Sequence, residues 1–96
     1  DLEPTFVECA KSSIVVYDGP EPRRIRTADI AADEEFGVLL DEIAKNEKAT
    51  VIFLVRDDGL GTYYQARRAA QAHYARNGKL PVLGQGKIDL GIFKPK

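Results

Sequence analysis

The chain of 96 residues predicts an α+β domain, a two-layer sandwich with two helices packed on one face of a small mixed β-sheet. Three observations lead there. Two short runs rich in β-branched and aromatic residues, 5–10 and 13–17, lie two residues apart, like the arms of a hairpin. A helical period then governs 33–46, where Phe36, Leu39, Leu40 and Ile43 fall at i, i+3, i+4 and i+7. Last, an unbroken apolar run at 49–55 passes through a glycine-containing loop into an alanine-rich stretch of helical period. A single domain is expected over 1–96, because a chain of this length buries roughly two thirds of its unfolded surface around one core.

In the first run Thr5, Val7 and Cys9 share one face and Phe6, Glu8 and Ala10 the other, which turns Cys9 inward beside Val7 as a small buried hydrophobe. Asp18-Gly19-Pro20-Glu21-Pro22 is turn chemistry. The charged piece at 23–27 reads as extended, and Arg23, Arg24 and Arg26 suit either a phosphate clamp or a solvated face beside acidic neighbours. Asp33 is placed to cap the first helix, Glu34 and Glu35 complement its positive end, and Asp41 stands four residues before Lys45 as an ion pair. Gly37 falls off the apolar stripe. After a turn at Asn46-Glu47-Lys48, the 49–55 run is apolar on both faces, as in a central strand covered on both sides or one at a dimer interface.

Thr62 with Gln65 forms a capping-box pattern at the start of the second helix, and Asn77-Gly78 supplies a left-handed stop. Tyr63, Ala66, Ala69, Ala70, His73 and Tyr74 then face the sheet, while Tyr64, Arg67, Arg68, Gln71, Ala72 and Ala75 form an outer side suited to a second contact. Residues 80–83 suggest a brief strand. Beyond a turn at Gly84-Gln85-Gly86, Ile88, Leu90 and Ile92 alternate with Asp89, Gly91 and Phe93, a period that can pair with a sheet edge in this domain or in a neighbouring copy.

Composition narrows the function classes. Fourteen basic against 15 acidic residues give a net charge of −1, which argues against an affinity built on neutralising nucleic-acid phosphates. One cysteine and one histidine allow no internal disulfide and fall short of the four ligands of structural zinc. The chain has no methionine and begins with Asp1, so a fragment or processed form is expected, with any membrane anchor outside it.

The strand–loop–helix unit raises an anion-binding reading, since Gly59 and Gly61 precede a helix whose N-terminus could meet a phosphate. Tyr64 stands where the dinucleotide fingerprint has its third glycine, and Asp57 and Asp58 occupy the approach. Gly86-Lys87 lacks the following Ser or Thr and helix of a P-loop. Asp57 and Asp58 lack the further oxygen ligands that Ca²⁺ requires, and Arg56 is expected to pair with one of them. His73 is the one candidate general base and has no nucleophile at a recognisable spacing. No catalytic, cofactor-binding or metal residue is therefore assigned. The surface expected to meet a partner comprises Arg56, Asp57, Asp58, Tyr64, Arg67 and Arg68.

The order of hairpin, turn, helix, apolar strand ending in Asp, loop, Tyr-led helix, glycine and Leu/Val strand resembles the periplasmic domain of the ExbD/TolR biopolymer-transport family. The resemblance is carried by Phe6 through Tyr17, Leu39 to Ile43, Val51 to Asp57, Tyr63, and Gly78 to Leu83. It implies a non-enzymatic domain on the periplasmic side of the inner membrane, held by an upstream membrane helix and working with a channel partner. In that family the proton-carrying aspartate lies in the membrane helix, so Asp57 and Asp58 do not inherit its role. Pro81, the glycine-rich loop at 58–61 and the segment from Lys87 depart from the family pattern. The expectation is a self-associating homodimer that contacts envelope or cell-wall components, needs no cofactor and binds no nucleic acid. The alternatives are an anion- or nucleotide-binding domain using residues 59–62, and a structural module of a large membrane-anchored protein with no transport role.

Overall fold

The structure, a computed structural model, describes residues 2–83. The alternating segment at 87–93 and the turn at 84–86 lie outside the described residues.

Strands β1 (Glu3–Cys9) and β2 (Ser13–Tyr17) form the expected antiparallel hairpin, closed by the Ala10 amide donating to the Ser13 carbonyl at 2.9 Å. Strand β3 (Arg23–Arg26) returns along β2 and leads into a 3-10 turn over Thr27–Ala32. Helix α1 (Glu34–Lys45) then carries the chain back so that β4 (Ala49–Arg56) lies parallel to β1. Helix α2 (Leu60–Ala72) makes a second crossover, which places β5 (Asn77–Val82) parallel to β4. The five strands run in the order β3-β2-β1-β4-β5.

Both helices cover the face lined by Val7, Cys9, Ile14, Val16, Val51 and Phe53, and they contribute Phe36, Leu40, Ile43, Tyr63, Ala66 and Ala70 to one core. Small side chains on α2 bring it close to the sheet, as the run of alanines predicts. On the opposite face Phe6, Val15 and Leu54 are also buried, so the doubly apolar β4 sequence is matched by burial on both sides.

Asp33 caps α1 as the sequence leads one to expect, its Oδ1 accepting from the Phe36 amide at 2.9 Å. The same carboxylate takes two hydrogen bonds from the Arg23 guanidinium, at 3.0 and 3.2 Å. Arg23, aided by the Phe36 amide, holds the Asp33 carboxyl below the usual carboxylate range. A carboxyl so depressed contributes stability that is complete above its unfolded value near pH 4 and is lost as pH falls through the folded value. Asp33→Ala is therefore expected to cost about 1–2 kcal/mol at pH 7 through the lost cap and ion pair. Its urea-denaturation stability should also fall less than the wild type's between pH 5 and pH 2.

The end of α2 departs from the sequence expectation. The helix stops at Ala72, and the left-handed position falls on Tyr74, with φ 60°. The Tyr74 amide donates to the Gln71 carbonyl and the Ala75 amide to the Ala70 carbonyl, which is a Schellman closure, with Ala75 and Ala70 buried against one core. Asn77 and Gly78 are instead taken by the sheet, opposite Val51 and Ile52. Arg76 holds this junction. Its backbone carbonyl accepts from the Val51 amide, and its guanidinium donates to the carbonyls of Ile43 and Asn46 at the end of α1 and of Ala49 at the start of β4. Tyr74 is 86 % exposed and has a Cβ where glycine is normally found. Tyr74→Gly is thus expected to stabilise the fold by about 0.5–1 kcal/mol, read as a rise of several degrees in melting temperature.

Candidate functional site

The loop between β4 and α2 is a structural joint. Gly59 is the N-cap of α2, has no side chain to cap with, and sits directly against the Cys9 carbonyl of β1. A Cβ there would lie 2.8 Å from the Cys9 carbonyl carbon, so glycine is required by the close approach of the hairpin. The capping box expected at Thr62 and Gln65 does not form, since Thr62 lies in the first turn of α2 and is buried. Its hydroxyl donates to the Lys11 carbonyl at 3.1 Å, which leaves the Thr27 hydroxyl to donate to the Thr62 oxygen at 2.7 Å. Three segments are tied at one point: the β1–β2 turn, the 3-10 turn and the start of α2.

The expected partner surface divides in two. Tyr64, Arg67 and Arg68 stand together on the outer side of α2, all exposed. Asp57 and Asp58 are exposed in the turn before the helix. Arg56 does not share that surface. It is 5 % exposed on the far face of the sheet, where its Nε donates to Glu8 at 2.9 Å. The Tyr17 hydroxyl donates to the same carboxylate at 3.0 Å, and burial and Glu8 together push the Tyr17 phenol up. Arg56 thus makes an ion pair across strands that its chain neighbours do not announce: position 56 shares its face with Leu54, which lies opposite Glu8 in register.

His73 also differs from its expected place. It caps the C-terminus of α2, half-buried, with Nδ1 2.7 Å from Asp41 on α1. Asp41 is turned to His73, where the helix period alone suggests Lys45. The imidazole lies over Gly37, where a Cβ would stand at ordinary contact distance, 3.4 Å from His73 Cε1. These contacts close one end of a groove of about 760 Å³ between the 3-10 turn, α1 and α2. Ile30, Phe36 and Leu40 lie at its base, Ala69 and Ala72 on one wall, and Arg68 at its edge. The sequence offered a signal for it in Gly37 and the alanines on the flank of α2, residues too small to fill the space between two helices.

The remaining reactive groups have structural roles. Cys9 is fully buried, and desolvation pushes its thiol up to about 12, far from a nucleophile's range. Arg23 pairs with Asp33 and Glu35, Arg26 with Asp29, and Arg24 donates to Ser13, so the basic run at 23–26 is engaged by protein groups. Among the described residues no group of three or more His, Cys, Asp or Glu could hold a metal ion, and no helix is long and apolar enough to cross a membrane. No family model, curated protein or solved structure matches the chain.

Proposed function

We propose that the chain is a non-enzymatic interaction domain of the ExbD/TolR kind, placed on the periplasmic side of the inner membrane by an anchor outside this sequence, and that it works by self-association and contact with envelope partners. The observation that carries the reading is the chain path: a hairpin, a helix, a central strand parallel to β1, a second helix and a parallel edge strand, in the order on which the resemblance rests. Further support comes from the employment of Cys9, His73 and the basic run in packing and pairing, while the outer side of α2 presents exposed aromatic and cationic groups among the described residues.

The competing reading, an anion or nucleotide at residues 59–62, is disfavoured by what occupies the loop. The space a phosphate would need against Gly59 is filled by the Cys9 carbonyl, and the Thr62 hydroxyl is already committed to Lys11 and Thr27. Sedimentation equilibrium over a wide concentration range, with a pull-down on insoluble cell-wall material, tests the proposal. Concentration-dependent dimerisation or cell-wall retention is expected; a strict monomer that stays in the supernatant overturns it.

A further inference from the structure

We propose that the helix layer is a self-complementary interface between two copies of this chain, with the acidic outer side of α1 in one copy seated on the basic outer side of α2 in the other, and the reverse. The inference rests on the self-association reading and names the surface through which it acts.

Helix α1 carries Glu34, Glu35, Asp41 and Glu42 against Lys45, whereas α2 carries Arg67 and Arg68 and no acidic residue between Leu60 and Ala72. Among the described residues Glu34, Glu42, Arg67 and Arg68 are exposed and enter no ion pair. Each stripe also holds apolar surface suited to burial. Val38 is 56 % exposed among the glutamates, and Tyr64 is 50 % exposed beside the arginines. Both helices pack on the same face of the sheet, so the two stripes present themselves side by side on one side of the molecule.

Two-fold symmetry makes such a surface useful. A pair that sets α1 on the partner's α2 forms both attractive contacts at once, while a pair that sets α1 on α1 opposes carboxylate to carboxylate. The edge of β5 is a poorer place for self-pairing, because it carries Lys79 and Pro81, a charge and a missing donor of the kind that guards sheet edges.

The test uses two double variants at exposed positions, Arg67→Glu with Arg68→Glu, and Glu34→Lys with Glu42→Lys, each checked for folding by circular dichroism and followed by sedimentation. Each variant alone is expected to dimerise at least tenfold more weakly than the wild type. An equimolar mixture should restore a one-to-one dimer, since one chain then carries acid on both helices and the other carries base. For the wild type, raising the salt should loosen the dimer, which is a readout independent of any variant. Variants that dimerise as the wild type does, a mixture that restores nothing, or a salt-independent dimer overturns this interface while leaving self-association intact. A wild type that remains monomeric removes the self-association reading itself, and this interface with it.

Discussion

Gly59→Ala is expected to destabilise the domain by on the order of 4 kcal/mol, or to prevent folding, although it adds a single methyl group. The new Cβ points into the Cys9 carbonyl and would lie 3.3 Å from the Ala10 Cα, so it meets backbone on a paired strand. A flexible side chain could swing aside; β1 cannot, because it is held by β2 on one side and β4 on the other. Relief would require α2 to lift from the hairpin, breaking the Thr62 hydroxyl contacts to Lys11 and Thr27. The control is Gly61→Ala, two residues on, where a Cβ meets nothing within 4 Å. That substitution should be neutral or stabilising by up to about 1 kcal/mol, since alanine is the better helix former. Urea denaturation of the two variants against the wild type reads both effects.

Phe53→Ala should cost about 4 kcal/mol, of which part is lost transfer energy and part the cavity left behind. Phe53 is fully buried on the central strand β4, and its ring meets Tyr63 of α2 edge-on, with centroids 5.6 Å apart and planes at 72°. It shares the core with Phe36, Leu40 and Ile43 of α1, so its removal loosens both helices from the sheet. Domains of this size are stable by roughly 5–15 kcal/mol, so one such cavity removes a large share of the margin. Val38→Ala on the exposed side of α1 should change stability by less than about 0.5 kcal/mol, which separates burial from mere hydrophobicity. Denaturant midpoints at constant slope are the measurement.

The parts of this fold that were legible in sequence are those specified by neighbours. The hairpin followed from two alternating runs, α1 from its stripe and the Asp33 cap, and β4 from an apolar run too short to be a helix. The parts that were not legible are decided by distant partners. Thr62 and Gln65 have capping-box spacing, yet the Thr62 hydroxyl is claimed by groups 51 and 35 residues away. Asn77-Gly78 looks like a helix stop, yet β4 recruits both residues as a parallel strand and the left-handed turn moves to Tyr74. Arg56 reaches Glu8, 48 residues away in the chain, a partner that local spacing does not reveal. Within the candidate surface, Tyr64, Arg67 and Arg68 could be grouped from helical spacing alone, whereas the groove beside them arises only when α1 and the 3-10 turn come to rest near α2.

The strand–loop–helix unit at the centre of the fold is either a joint or a binding cradle. Amide chemical shifts of Gly59, Gly61 and Thr62, followed while inorganic phosphate and then a nucleoside triphosphate are titrated to millimolar concentration, decide this most directly. Shifts that stay unchanged are the predicted result. A saturable shift confined to these three amides would contradict it and return the loop to the role of an anion site.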